Sequence, residues 1–592
     1  MANNIFDKAE YKIQTLVQMA DSGSLGLPDL QRGFVWKTSK IRDLLDSMIK
    51  GYPIGFIMLW KSQNVSLDNK TIGTDAKENG LDYVIIDGQQ RITSLYAVIT
   101  GKDIISSDEK KPIKIAFNPM TREFAVANAA IAKNPEWIKN ISEIFANSTR
   151  NRKFVNEFIE RYREYLQKSD KELTEDMEQR IEDAISDVLD IQNYSINALV
   201  IKENIDEENV ADVFTRVNSG GVALNENDFI LTLMSVISPK LRDDVEKFCL
   251  DSKTPSNDRT SYNKLIELKP QHIIRTTMAF TFNIARLKYA YKKLRGSDLK
   301  RGADKKIDKN LQKQSFQELA DGLEKVLNLD NWHSFLKAVD TSGFITKDII
   351  SSDNTLIYSY MVYLIGKYHF NVEYDRLRKI VARWFYMTST TSHYTGSFEA
   401  KVQEELNAFS TLKNADEFEE YINNQIRVTF TNDYFDVTLP NDLVTSSATS
   451  AVWYTYLAAL NILDVKALFS DLHIRDLLSG IYDGNRKAVE KHHIFPKAYL
   501  EKIGITDNRD RNQIANFAYI EWEDNMEISD DAPINYFKPI FEKKVSPEDR
   551  KYVMKVHALP DDWYTMDYKE FLENRRKMMA QIIKLGYEKL MK

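Results

Sequence analysis

The residues best suited to chemistry lie near the C-terminal end of the chain. The segment VEKHHIFPKAYL (489–500) carries two adjacent histidines, His492 and His493, and RNQIANFAYIEWEDNMEIS (511–529) follows it. Hydrolysis of a phosphodiester needs a base for the attacking water and a cation on the leaving oxygen, because negative charge gathers in the transition state. A neutral imidazole can bind a metal, and a second imidazole, with an ordinary pKa of about 6.5, can act as the base. A histidine pair can therefore supply both parts of such a reaction.

The spacing of the residues after this pair indicates a second strand. Asn516 lies 23 residues beyond His493, and Asn525 lies nine beyond Asn516, with the apolar residues Phe517 and Ile520 between them. In an extended segment neighbouring side chains face opposite ways, so two adjacent histidines cannot share a role simply by being adjacent. We therefore expect the two imidazoles to do different things.

These residues resemble the HNH, or ββα-metal, nuclease motif, in which an acid–His or His–His pair is followed by an Asn and then by a His or an Asn. The resemblance implies that His493 is the general base and that Asn516 pins the loop that orients it. It also implies that His492 and Asn525 hold a divalent cation.

The sequence departs from the commoner motif at two positions. His492 stands where an acid is usual, and the motif ends in Asn525 and not in a histidine. Imidazole and amide ligands suit Mn, Ni, Zn or Mg with waters, so the identity of the metal stays open. Glu490, two residues before His492 and thus on the same face of a strand, could supply the missing carboxylate, as could Asp524.

Three polar clusters lie in the first 240 residues: LPDLQRGFVW (27–36), IIDGQQR (85–91) and FTRVNSGGVALNENDF (214–229). In the second cluster an apolar strand meets the N-terminus of a helix, where backbone N–H groups favour an anion, and Arg91 adds a planar fork for a phosphate. Asp87 could hold a Mg ion or orient water. Two alternatives stay open: Asp87 only caps the helix, and Gln-Gln-Arg forms its exposed first turn.

The three clusters in this order resemble the N-terminal domain of the GmrSD-type modification-dependent restriction endonucleases, and the histidine segment resembles the second domain of the same family. The resemblance implies a ParB/sulfiredoxin-like fold whose DGQQR motif supports hydrolysis of a nucleoside triphosphate. It implies that Asp87 is catalytic there. It also implies a set of nucleotide-binding residues: Gln31, Arg32, Gln89, Gln90, Arg91, Arg216 and Asn218.

The strand and helix signals around these residues predict an α+β fold. A chain of 592 residues is longer than a single hydrophobic core can usually organise, so we expect several domains. We expect an α/β domain over 1–240, with strands at YVII and SINALVI, a helix from about Gln89 to Gly101 and a charged helical insertion over about 136–192. A helical middle domain should span 241–430. The nuclease domain, in a helical setting, should span 431–592.

Composition narrows the class of protein. Hydrophobic residues make up 43% of the chain, as in globular proteins. The single cysteine, Cys249, excludes an internal disulfide or a multi-cysteine zinc site, and we expect it in the core. No apolar run approaches the roughly 18 residues of a membrane span and no signal peptide is evident, so we expect no membrane association and a cytoplasmic location. The net charge of −7 argues against non-specific coating of nucleic acid, although local basic patches decide DNA binding.

We therefore expect a DNA endonuclease or nickase that uses a divalent metal. The family resemblance implies that it acts in anti-phage defence, depends on a nucleoside triphosphate and has modified double-stranded phage DNA as its substrate. A double-strand break by a nuclease with one site needs either two active sites, which a homodimer would supply, or two visits by one site; both alternatives stay open. The alternative is a nucleotide-regulated DNA-binding protein whose HNH module has lost catalysis.

Overall fold

The computed structural model describes most of the chain: residues 5–28, 36–61, 69–71, 77–78, 82–105, 110–111, 113–146, 151–168, 170–202, 226–296, 308–479, 489–521, 528 and 531–592. The chain divides into two compact units, Met1–Arg242 and Asp243–Lys592. Both α-helices and β-strands are present, so the mixed α+β class predicted from the sequence is confirmed.

The strands described in the first unit are β1 Phe6–Lys12, β2 Leu25–Pro28, β3 Ile57–Lys61, β4 Asn69–Thr71, β5 Lys77–Glu78, β6 Tyr83–Asp87, β7 Ile104–Ile105, β8 Lys110–Lys111, β9 Ile115–Asn118, β10 Glu123–Val126 and β11 Ser195–Ile201. Seven of these described strands form a mixed sheet with the order β1-β11-β3-β6-β2-β4-β5. Within it β11 pairs parallel to β3, β2 pairs parallel to β6, and the other neighbours are antiparallel. The antiparallel pairs β7–β8 and β9–β10 lie outside this sheet.

The helices of the first unit are α1 Ile13–Asp21, α2 Thr38–Ile49, α3 Gln89–Thr100, α4 Ser142–Ala146, α5 Asn151–Gln167, α6 Glu175–Asp190 and α7 Glu226–Ile237, with α8 Pro239–Asp251 following. Helices α1 to α6 share an apolar core with the sheet: Ile57 and Ile85 of the sheet belong to the same cluster as Leu95 of α3, Phe158 of α5 and Ile185 of α6. Helices α5 and α6 belong to the insertion that the sequence predicts, so the insertion packs onto the core of the sheet.

The second unit is mainly helical. Its helices are α9 Pro270–Phe282, α10 Leu287–Leu294, α11 Lys309–Val326, α12 Leu329–Thr341, α13 Asp353–Tyr368, α14 Tyr374–Thr390, α15 Phe398–Phe409, α16 Ala415–Thr429, α17 Leu439–Asp442, α18 Ala451–Ile462, α19 Ile474–Leu478, α20 Lys497–Lys502, α21 Asn508–Arg511, α22 Pro533–Lys544, α23 Arg550–Val556 and α24 Tyr568–Leu590. One antiparallel pair of strands, β12 Val489–His493 and β13 Phe517–Glu521, lies among them.

The predicted middle region and the predicted last region pack together inside this second unit. The Tyr386 hydroxyl of α14 donates to the Ile583 carbonyl of α24 at 2.8 Å. Gly586 of α24 approaches α18 so closely that a Cβ there would lie 2.9 Å from the Cβ of Ala459. The boundary near residue 430 stays a prediction. Cys249 is buried, and burial raises the pKa of its thiol to about 12.

None of the helices in the described part of the chain combines the length and the apolar composition that a bilayer crossing requires.

Candidate functional site

The two halves of the histidine motif meet as a pair of antiparallel strands. In the β12–β13 register His492 lies opposite Ala518 and His493 lies opposite Phe517. The pairing places each histidine beside a residue at least 24 positions later in the chain, and these partners are the two residues that directly follow Asn516. The strand pair predicted from the motif spacing is present in the structure.

The two histidines contact different parts of the second unit. His492 is buried, and its ring meets the ring of Tyr536 on α22 edge-on, with centroids 6.1 Å apart. His493 is partly exposed; its ring meets that of Phe517 at 4.9 Å and an interplanar angle of 87°. Its Nε2 atom lies 3.0 Å from Oδ1 of Asn512. The alternation expected of a strand therefore holds for this pair.

Asn516 is fully buried, and both the oxygen and the nitrogen of its side-chain amide form hydrogen bonds with backbone groups. Its Oδ1 accepts from the N–H of Phe495 at 2.8 Å, and its Nδ2 donates to the carbonyl of the same residue at 3.0 Å. Nδ2 also lies 3.3 Å from the Arg511 carbonyl. The Ile494 N–H donates to the Asn516 carbonyl at 2.8 Å. These bonds fix the backbone that follows His493 against the start of β13.

Buried polar side chains of α22 and α24 donate hydrogen bonds to backbone carbonyls next to the two strands. The Tyr536 hydroxyl donates to the Ile494 carbonyl at 2.5 Å. Arg575 of α24 is fully buried, and its Nη1 donates to the Ala515 carbonyl at 2.8 Å. Burial lowers the pKa of Arg575. His557, whose pKa burial lowers to about 4, is fixed by a 3.0 Å contact between its Nε2 and a backbone carbonyl.

The predicted cation ligands are only partly visible. Asn525 and Asp524 lie outside the described residues, and Glu490 is described in its backbone alone. Within the described ranges no group of three or more histidine, cysteine, aspartate or glutamate side chains could hold a metal ion. His492 alone supplies a single imidazole, so a metal would need further donors from the residues beyond the described ranges.

In the first unit, Asp87 ends β6 and Gly88 turns the chain into α3. Gly88 adopts φ 92°, and a Cβ there would lie 2.7 Å from Cγ2 of Ile57, so the turn requires glycine. No side chain caps α3. The alternative in which Asp87 only caps this helix is therefore wrong; its carboxylate lies 3.4 Å from Nη2 of Arg91. The exposed first turn is also wrong, because Gln89 is buried and Gln90 half-buried.

Arg91 holds the loop that precedes β3. Its Nη1 donates to the Ile54 carbonyl at 2.5 Å and its Nη2 to the Phe56 carbonyl at 2.7 Å. Gly55, at φ 89°, gives the guanidinium room, since a Cβ there would lie 2.5 Å from Nη1. Burial lowers the pKa of Arg91, and the charge of Asp87 opposes this shift. The fork predicted for a phosphate thus bonds backbone carbonyls in this structure.

A hydrogen bond joins the described parts of the first and second polar clusters. The backbone N–H of Trp36 donates to Oε1 of Gln90 at 3.2 Å. A cleft of about 380 Å³ opens beside this contact, lined by Trp36, Lys40, Asp43, Leu44, Ser47, Pro53, Ile54 and Arg91. Gln31, Arg32, Arg216 and Asn218, the other predicted nucleotide ligands, lie outside the described residues.

Sequence reasoning missed Asn512, Tyr536 and Arg575. None of them belongs to the motif spacing, and the tertiary fold brings each to the strand pair from 19 to 60 residues away along the chain. The one available signal was an asparagine, Asn512, four residues before Asn516.

Two comparisons with known proteins show what this chain is similar to. Residues 13–235 match the family model of the GmrSD restriction endonuclease N-terminal domain. The chain is also similar to the uncharacterized protein MJ0686 of Methanocaldococcus jannaschii, with 22% identity over 616 residues that cover 96% of this chain and 97% of that protein. Residues 13–235 are therefore similar to the N-terminal domain of the GmrSD restriction endonucleases.

Proposed function

We propose that this protein is a nucleotide-dependent endonuclease or nickase that cleaves modified DNA in defence against phages, by metal-assisted hydrolysis in an HNH (ββα-metal) site. The observation that carries the proposal is the pair of hydrogen bonds by which buried Asn516 holds the backbone of Phe495, two residues after His493. A general base must stay within hydrogen-bond reach of its water, and a fixed backbone keeps it there.

In this mechanism His493 takes the proton of the attacking water, and Asn516 acts as a positioning residue. His492 and Asn525 would hold the divalent cation, Mg or one of Mn, Ni and Zn, with Glu490 or Asp524 as a source of a carboxylate. When bound, the cation stabilises the negative charge on the leaving oxygen.

The first unit, in this proposal, has a ParB/sulfiredoxin-like fold and hydrolyses a nucleoside triphosphate. Asp87 is its catalytic carboxylate. The contact between Trp36 and Gln90 supports a shared site, because it joins two polar clusters at one cleft. Arg91 holds the loop that lines this cleft. The remaining ligands would be Gln31, Arg32, Gln89, Arg216 and Asn218.

The test combines the full chain with modified and unmodified phage DNA, Mg or Mn, and each nucleoside triphosphate in turn. We expect cleavage of a modified DNA that His493→Ala abolishes. Cleavage that is absent under every condition, or that persists unchanged in His493→Ala, would refute the nuclease. Separately, Asp87→Ala should abolish triphosphate hydrolysis without loss of fold, and normal hydrolysis by this variant would refute the site in the first unit.

A second candidate is a nucleotide-regulated DNA-binding protein without nuclease activity. It is favoured by His492 at the usual position of an acid. Nucleotide-dependent DNA binding with no cleavage under any metal would support this candidate. Light scattering with DNA bound would show whether the homodimer expected for double-strand breaks forms.

A further inference from the structure

We infer that Asn512 is a positioning residue of the nuclease site, which fixes the His493 ring in the form that presents Nδ1 as the base. The inference rests on the proposed role of His493. Asn512 lies outside the HNH motif residues, yet its Oδ1 is 3.0 Å from His493 Nε2.

The orientation of the Asn512 amide follows from its other bond. Nδ2 lies 2.8 Å from the Asn508 carbonyl, which also accepts from the backbone N–H of Asn512 at 3.1 Å. A carbonyl oxygen only accepts, so the amide NH₂ and not its oxygen must face Asn508. The oxygen is therefore the atom that faces His493.

The same reasoning assigns the proton on His493. An amide oxygen only accepts, so Nε2 must be the nitrogen that carries the hydrogen. A neutral imidazole has one N–H, and its lone pair is then on Nδ1. The Phe517 ring, edge-on at 4.9 Å, limits rotation of the imidazole. Nδ1 is thus the nitrogen that accepts a proton in the proposed reaction.

Asn512 is itself firmly held. It ends the short helix α21, whose N-terminus is capped by Asp507 through bonds to the N–H groups of residues 509 and 510 at 2.7 and 3.3 Å. The preceding carbonyl, that of Arg511, accepts from Nδ2 of Asn516 at 3.3 Å. Asn516 therefore fixes the backbone next to both members of the Asn512–His493 pair, which suits a fixed ring orientation.

The decisive experiment is steady-state cleavage of DNA by the full chain. In Asn512→Leu we expect kcat to fall about 10- to 100-fold while KM for DNA changes less than twofold, because the ring loses its orienting partner and not its contact with substrate. Asn512→Asp keeps an acceptor oxygen toward Nε2 but places its second oxygen near the Asn508 carbonyl, so it should recover part of this loss. Gln513→Ala is the matched control: its amide bonds the Arg509 carbonyl at 2.9 Å on the same short helix, and its kcat should not change.

Three outcomes of these assays would overturn the inference: a kcat in Asn512→Leu within twofold of the unmodified chain, an Asn512→Asp variant no better than Asn512→Leu, or an equal loss in Gln513→Ala. The last would show that α21 as a whole, and not the Asn512 amide, is needed.

A second readout does not depend on activity. In protein with ¹⁵N-labelled histidine, long-range ¹H–¹⁵N spectra distinguish the two neutral tautomers, and His493→Gln identifies the His493 signal. We expect the Nε2–H form in the unmodified chain and a mixture of tautomers in Asn512→Leu. An Nδ1–H form in the unmodified chain, or no change in Asn512→Leu, would overturn the inference. If no DNA is cleaved, the proposed function fails, and this spectrum still decides whether Asn512 sets the tautomer.

Discussion

The two candidate sites are made of different side chains, because all eight histidines lie within 243–592 and none lies in the first 242 residues. The described part of the first site offers a carboxylate, a guanidinium and amides, in Asp87, Arg91 and Gln90. Such groups bind ions and phosphates well, but imidazole is the side chain whose ordinary pKa lies near neutrality. In the proposed function, His493 of the second unit therefore takes up the proton during DNA cleavage, whereas the site in the first unit acts through a carboxylate, a guanidinium and amides.

The sites also differ in depth. The amide of Asn516 is fully buried against backbone groups. Arg91 instead holds a loop at the surface, on which Tyr52 and Phe56 are each 60% exposed. Removal of a polar side chain from the second site should therefore lower the free energy of unfolding of its unit. The same kind of change in the first site should mainly increase the mobility of the surface loop.

Asn516→Ala should have the largest effect. It leaves the buried N–H and carbonyl of Phe495 without their partner, which costs about 2–4 kcal/mol. Hydrogen exchange in peptides covering 489–521 should accelerate, and DNA cleavage should be lost. Gln513→Ala, which removes an amide that bonds a carbonyl nearer the surface, is the control. Unchanged exchange in Asn516→Ala would show that the clamp does not stabilise the strand pair.

Local order in both units could be predicted from the sequence. The strand at 195–201 and the helix beginning at Gln89 have the predicted bounds to within one residue, because an apolar run or a turn glycine marks each end. The spacing from His493 to Asn516 likewise predicted a strand pair.

What could not be predicted depends on distant contacts. Arg575 reaches the Ala515 carbonyl from 60 residues away, and in sequence it looks like an ordinary charge on a long helix. The hydrogen bond from Tyr386 to Ile583 joins positions 197 residues apart. These two residues belong to regions that the sequence analysis assigns to different domains. Arg91 was expected to bind phosphate because nothing in the sequence shows the carbonyls of Ile54 and Phe56 beside it.

The stability of the two units should respond differently to acid. Burial lowers the pKa of His557 to about 4, and the unfolded value is near 6.5, so the unfolded chain binds more protons between these values. The stability contributed by neutral His557 is therefore present above about pH 6.5 and is lost as pH falls toward 4, by about 2 kcal/mol between pH 7 and 5. His272, lowered to about 4 chiefly by burial, acts in the same direction.

The measurement is the urea midpoint of each unit at both pH values, followed by hydrogen exchange of its own peptides. The second unit should lose stability, and His557→Gln, which keeps an N–H donor, should reduce that loss. The first unit has no histidine to contribute. If the urea midpoint of the second unit falls by the same amount between pH 7 and 5 in the unmodified chain and in His557→Gln, the prediction is contradicted.

Arg91→Ala should have a smaller effect, confined to the first unit. It removes the donors to the Ile54 and Phe56 carbonyls, at a cost of about 1–2 kcal/mol because the loop can regain water. Exchange at residues 52–58 should accelerate while the second unit is unchanged. Arg42→Ala, which removes an exposed ion pair with Asp43, is the control and should change nothing measurable. Normal exchange of the loop in Arg91→Ala would mean that Arg91 is not what holds it.

Tyr536→Phe should have the smallest effect of the four. It removes one hydroxyl, whose bond to the Ile494 carbonyl is 2.5 Å long, and leaves the ring that meets His492. One buried bond is worth about 1 kcal/mol, so the unfolding midpoint should shift slightly and exchange near residue 494 should rise. Cleavage should fall only a few-fold, because Asn516 still fixes the backbone after His493. A loss as large as that of Asn516→Ala would mean that the contact from α22, and not the asparagine clamp, holds the site together.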